Sequence, residues 1–181
     1  MSKGRTILTD KRFELTLQRL AHELIENYGD FENTCIIGVQ EKGVILAERI
    51  HKLIVETTKY EHLQLGKLDI TFYRDDFRTR VEPLRASSTE IDFLIEGKRV
   101  ILVDDVLYTG RTIQSALAAL QDFGRPDQVE LLCMVDRRFN RHLPIQADYI
   151  GIRVDAVDEA YVKVEWKGYE DRDRILLFAA K

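Results

Sequence analysis

Proline, cysteine and tryptophan are scarce in this chain: three, two and one among 181 residues. So few prolines, with only ten glycines, exclude a collagen-like repeat and a proline-rich disordered chain. The two cysteines, Cys35 and Cys133, stand far apart, each inside an apolar run. They exclude a disulfide framework and read as buried thiols in a reducing compartment. No stretch approaches the roughly 20 consecutive apolar residues of a membrane helix. The opening MSKGRTILTDKRFE has no apolar core of a secretory leader, so the cytoplasm is the expected location. Positive charge is not in excess either: 27 Lys and Arg against 31 Asp and Glu give −4. That argues against a surface coated in cations for nucleic acid, and leaves room for a local patch. What is present is a composition of 45% apolar and 32% charged residues, usual for a soluble globular chain. At about 100–200 residues per domain, one domain over 1–181 is expected, with a core that needs no staples.

No repeat, low-complexity tract or linker interrupts the chain. Its pattern is apolar strand, helix, apolar strand, which reads as α/β. A first helix is expected from Thr9 or Asp10, with Phe13, Leu17, Leu20, Leu24 and Tyr28 on one stripe and Gly29 as its stop. Cys35–Val39 reads as a strand covered on both faces, and a helix carrying Val44, Ile45, Ala47, Ile50 and Ile54 follows Gly43. Alternation of Leu68, Ile70 and Phe72 predicts a strand over Lys67–Tyr73. The polar segment from Arg74 to Glu90 is long for a compact domain and reads as a functional loop. Arg99–Val103 is the next buried strand, closed by Asp104 and Asp105. A helix over Thr112–Phe123 and a strand over Val129–Val135 follow. The tail turns β-like at Ala147–Ile152, Ala160–Trp166 and Arg174–Ala179. The sum is a parallel sheet with an added hairpin.

The chemistry concentrates in Val100–Thr112, VILVDDVLYTGRT. A buried strand delivers two carboxylates, a Thr-Gly turn follows, and a helix begins. Open α/β sheets bind ligands beyond the carboxyl ends of their strands, and the free N–H groups of a helix start favour an anion. Tyr108, Thr109, Gly110, Arg111 and Thr112 therefore suit a phosphate, with Gly110 admitting close approach and the threonines adding hydroxyls. Asp104 and Asp105 repel a phosphate, so they suit a sugar's neighbouring hydroxyls or a metal held by them. Phosphate beside a vicinal diol means a ribose 5-phosphate. Competing readings fit less well. In a phosphoacceptor receiver domain the acidic pair usually opens the fold. A Walker loop requires GxxxxGK[ST], which is missing. A merely solvated strand end leaves the Thr-Gly-x-Thr turn unexplained.

The segment resembles the phosphoribosyl-pyrophosphate (PRPP) motif of type I phosphoribosyltransferases. With Asp69–Asp76 (DITFYRDD), Gly124–Pro126 (GRP), Val135–Arg137 (VDR) and Leu143–Gly151 (LPIQADYIG), the resemblance narrows to the PyrR family and runs from about residue 6 to 165. It implies a mostly parallel central sheet flanked by helices, a flexible loop over about 74–90 and a small hood from about 136–181. It also implies a Mg²⁺-dependent uracil phosphoribosyltransferase that forms UMP and pyrophosphate. It further implies regulation of pyrimidine genes by UMP-dependent binding to leader mRNA, that is, transcription attenuation.

Residue by residue, the resemblance gives Asp104 and Asp105 the ribose hydroxyls, and through PRPP the metal. Tyr108–Thr112 take the 5-phosphate. Gln40, Glu41, Lys42 and Gly43 form the pyrophosphate loop, which in the superfamily often contains a non-proline cis peptide. Relatives often carry Thr-Arg where Glu41-Lys42 stands. Arg74 is a catalytic pyrophosphate contact, with Arg78 and Arg80 as further candidates. Tyr108 occupies the position of the purine-type acid/base Asp, and a phenol of pKa near 10 shuttles protons poorly at neutral pH, which favours a pyrimidine over a purine. Arg137 and the backbone of Ile150 are the expected base contacts. Arg19, His22 and Arg141 match RNA-binding positions, in two segments (1–24 and 134–153) that each carry a net +2. Gln146 and Ile152 replace cations there, which would weaken RNA binding and flatten its salt dependence. Two alternatives stay open: a non-catalytic UMP-sensing regulator, and a transferase for another base such as a purine. Relatives form dimers and higher assemblies, and an exposed Leu, Tyr or Trp166 would serve such an interface.

Overall fold

A computed structural model of the chain describes residues 4–75, 88–155 and 160–179. Asp76, Arg78 and Arg80, named above, lie outside the described residues. The elements are β1 (Arg5–Leu8), α1 (Asp10–Tyr28), β2 (Thr34–Val39), α2 (Lys42–Thr58), β3 (Gln64–Leu68), β4 (Arg99–Leu107), α3 (Arg111–Leu120), β5 (Gln128–Arg137), β6 (Tyr149–Val154), β7 (Tyr161–Glu165) and β8 (Arg174–Phe178). Short 3-10 turns cover Thr71–Tyr73 and Gln121–Phe123.

Five strands form a parallel sheet in the order β3-β2-β4-β5-β6. Every residue of β2 is buried, as a strand with both faces covered requires. On one face, α1 and α2 contribute Phe13, Leu20, Leu24, Leu46, Ile50 and Ile54 to a core with Ile36, Ile101 and Met134. On the other, Ile113, Ala116 and Leu120 of α3 cover Ile37, Val100 and Leu102. The chain runs β2 to β3 on one side, then returns to place β4 on the other side of β2. The strand order therefore reverses between β2 and β4, and a crevice opens at their carboxyl ends.

Four readings of the sequence need correction. The strand predicted over Lys67–Tyr73 is β3, Gln64–Leu68. Asp69 Oδ1 accepts both the N–H (2.9 Å) and the hydroxyl (2.6 Å) of Thr71. Such a side-chain-to-backbone turn ends a strand, and leaves Phe72 69% exposed. The strand after Lys98 does not close at Asp104 but continues to Leu107, paired there with Asp136 of β5. The tail is not a hairpin added to the sheet: β6 is its parallel edge strand, and β7 and β8 join the unpredicted β1 in a separate antiparallel sheet, order β1-β8-β7. Trp166 is fully buried, edge-on to Phe13 at 5.1 Å and under the Arg49 guanidinium at 5.1 Å. It stitches the second sheet to α1 and α2 and presents nothing to a partner. Cys35 and Cys133 are buried free thiols, and burial raises both, Cys35 to about 12.

Candidate active site

Two loops flank the crevice, one after β2 and one after β4. The second is reached through Asp104 and Asp105, inside β4. Asp104 is 8% exposed, and its Oδ1 accepts the backbone N–H of Asp105 at 2.9 Å. Burial, and then the Asp105 charge, push the Asp104 carboxyl well above the usual carboxylate range. Asp105 is raised as well, by burial, with the Lys42 ammonium opposing. A buried and a half-buried carboxylate, opposed among the described residues chiefly by Lys42, favour a cation or hydroxyl donors from a ligand. Among the described residues no three His, Cys, Asp or Glu side chains gather as a metal cage. An ion bound here would therefore draw ligands from the substrate too.

The β4–α3 turn has Gly110 at the helix start with φ 92°, a backbone setting that favours glycine. A Cβ there would also meet Ile145 Cδ1 at 3.3 Å and Leu143 Cβ at 3.4 Å. The Arg111 N–H reaches Thr109 Oγ1 at 3.4 Å, and the remaining first-turn N–H groups have no partner within the helix. The Arg111 guanidinium pairs with Asp75, just before residues 76–87. From the outside the turn is held by the β5–β6 connection. The His142 and Leu143 N–H groups donate to the Thr109 carbonyl (3.0 and 3.3 Å), and Arg141 donates to the Tyr108 carbonyl.

The β2–α2 turn carries a cis peptide between Gln40 and Glu41. Gly43 lies where α2 starts against β4: a Cβ there would stand 2.5 Å from the Val103 carbonyl oxygen and 3.0 Å from Asp104 Cα. That contact brings the two loops together. Lys42 Nζ donates to the Val164 carbonyl of β7 at 3.3 Å, and its charge is felt at Asp105. Gln40 donates through its side chain to the Ser88 carbonyl at 3.1 Å, and Lys67 and Glu90 exchange backbone hydrogen bonds of 2.8 and 2.9 Å. The segment from Arg74 to Glu90 thus leaves beyond β3 and returns beside this loop.

Arg74 heads that segment, half-buried. Arg137 is buried at 6% exposure; its Nη2 donates to the Ala160 carbonyl at 2.6 Å and its guanidinium lies 3.7 Å over the Tyr108 ring. It thus stacks on the β4–α3 turn. Ile150 borders a cavity of about 410 Å³ together with Asp136, Arg138, Arg141 and Arg153. Its carbonyl already accepts Arg19 Nη2 at 2.9 Å, and the Gly151 carbonyl accepts the same nitrogen at 2.7 Å. Arg19 therefore caps the open edge of β6, half-exposed, and pairs with Glu23 at 3.2 Å. His22 is exposed, with Nδ1 2.8 Å from the Gln18 carbonyl. Arg141 is held by Asp136 at 2.5 Å. The sequence offered no sign of the Arg137–Tyr108 stack or of the Arg141 grip on the Tyr108 carbonyl, because both join the end of β5 or the segment after it to the turn after β4.

A carboxylate pair inside a central strand, a glycine turn that opens a helix just after it and a second loop across a strand-order reversal are the layout of a phosphoribosyltransferase. The family model described as phosphoribosyl transferase domain matches residues 4–167. The chain belongs to the PyrR family within that class. It is similar to the bifunctional protein PyrR of Caldicellulosiruptor bescii, 41% identical over 98% of this chain and 96% of that one. It is also similar to that of Elusimicrobium minutum, 45% identical over 90% and 89%. Among solved structures, the hypoxanthine-guanine phosphoribosyltransferase of Bacillus anthracis superposes with a TM-score of 0.73 at 16% identity, covering 99% of each chain. The hypoxanthine phosphoribosyltransferase of Trypanosoma cruzi gives 0.72 at 15%, covering 98% and 97%. At that identity the likeness carries the fold and not the base.

Proposed function

We propose that this chain transfers ribose 5-phosphate from PRPP to N1 of uracil, and that its UMP-bound form binds leader mRNA of pyrimidine genes. The observation that carries the first part is the Asp104–Asp105 pair, one buried and one half-buried, three residues before a turn that suits a phosphate. In this reading the Tyr108–Thr112 turn holds the 5-phosphate and the carboxylates accept from the ribose hydroxyls. Gln40–Gly43 receive the pyrophosphate, with Lys42 beside it and Arg74 reaching it from the far side. The bond from ribose C1 to N1 of uracil forms as the bond from C1 to pyrophosphate breaks, and the N1 proton is released. Mg²⁺ bound with PRPP would offset the charge of the departing pyrophosphate. The two raised carboxyls, short of opposing charge, fit that ion. Tyr108 in place of an acid/base Asp supports a pyrimidine substrate.

One core draws on both sheets, which supports a single domain over 1–181. No helix of the described residues is long and apolar enough to cross a membrane. The relatives' name, bifunctional protein, supports the regulatory half, as does the Arg19 and His22 face. The test is pyrophosphate release from PRPP and Mg²⁺ with uracil, hypoxanthine, guanine and orotate in parallel. Turnover with uracil alone is expected. Turnover with a purine would overturn the base assignment, and none with any base would leave a sensor of UMP.

A further inference from the structure

We propose that Arg141 is a positioning residue for the 5-phosphate turn, which it orients through the Tyr108 carbonyl. The inference rests on reading Tyr108–Thr112 as that turn. Arg141 has both ends of its guanidinium engaged: Nη1 donates to the Tyr108 carbonyl and Nη2 to Asp136 Oδ1 at 2.5 Å. Its side chain is 23% exposed. The next two residues continue the grip, with the His142 and Leu143 N–H groups on the Thr109 carbonyl. Two consecutive carbonyls are thus drawn to one side of the turn. In a planar trans peptide the N–H points opposite to the C=O, so the Thr109 and Gly110 N–H groups are turned to the other side. A guanidinium fork reaches two acceptors at once, which an ammonium does not do in the same geometry.

The turn meets the 5-phosphate equally in the ground and transition states. Loosening it therefore raises KM and leaves kcat nearly unchanged. The experiment measures PRPP KM, kcat and UMP dissociation constant, without RNA, for the native protein, Arg141→Gln, Arg141→Lys and Asp136→Asn. Arg141→Gln is expected to raise the PRPP KM and the UMP constant about tenfold with kcat within about threefold. Arg141→Lys should recover part of the loss, and Asp136→Asn should shift the constants the same way. If Arg141→Gln does not fold, Arg141→Lys and Asp136→Asn decide. PRPP KM and UMP affinity within twofold of native in the folded variants would overturn the proposal. A native protein that binds neither PRPP nor UMP would overturn the functional reading, and this inference with it.

Discussion

Asp104 sets the electrostatics of the site at the scale of single residues. Its carboxyl is raised in the folded protein, by burial first and by Asp105 second. An unfolded Asp titrates near 3.9. Below that value both states hold the proton and nothing is lost. As pH rises above it, the unfolded chain ionises while the folded one resists, so stability falls until the folded group ionises too. Asp104→Asn removes this penalty. The ligand-free variant should gain more in unfolding temperature at pH 8 than at pH 5, measured calorimetrically. An equal gain at both would contradict the burial argument. The same resistance to ionisation makes native kcat/KM for PRPP rise with pH from the acid side, since hydroxyl donors and Mg²⁺ bind the carboxylate. At this scale the sequence was highly legible: Asp104 to Thr112 are adjacent in the chain, and adjacency is what a motif records. The stack of Arg137 on Tyr108 joins residues that only the sheet brings together, so no spacing announced it.

Between elements, the decisive contact is that of α2 with β4. Gly43 lets the helix start within touching distance of the Asp104 backbone, which sets the distance between the two loops. In Gly43→Ala the added methyl meets backbone, which does not move aside cheaply. Overpacking of this kind costs about 1–3 kcal/mol, a fall in unfolding temperature of about 2–4 °C per kcal/mol at this size. The loss of turnover should exceed what that destabilisation explains, because Lys42 and Asp105 separate. Full activity in a folded Gly43→Ala variant would remove the close approach from the account. The helices and central strands were readable from periodicity and from their glycine stops. β3 was not, because the alternation of Leu68, Ile70 and Phe72 continues past the Asp69 turn that ends the strand. Nor was β1, four residues whose partner, β8, lies at the other end of the chain.

For the whole molecule, the question is what a chain of net charge −4 offers to RNA. Near the β6 edge, Arg138 is held by Asp155 at 2.6 and 2.7 Å and Arg141 by Asp136. Among the described residues Arg153 is exposed there, and Arg19, though held by Glu23 and the β6 carbonyls, keeps half of its side chain exposed, so these two are the arginines taken to meet phosphates. About two phosphate contacts on a single strand give a slope near −1.4 in log affinity against log salt. Filter binding with UMP present should show a slope this shallow, and Arg19→Ala should reduce it by about 0.7. A slope steeper than about −4 would mean that RNA meets a larger basic surface than these two arginines. Arg19→Ala that left affinity and slope unchanged would misplace the RNA face.

The central claim is that the carboxylate pair and the turn after it carry out ribose 5-phosphate transfer to uracil. The most direct measurement is UMP formation from PRPP, Mg²⁺ and uracil by the native protein beside a folded Asp104→Asn, Asp105→Asn double variant. Turnover by the native protein is expected, with a loss in kcat/KM of more than about a hundredfold in the variant. Turnover that survives the double substitution would contradict it.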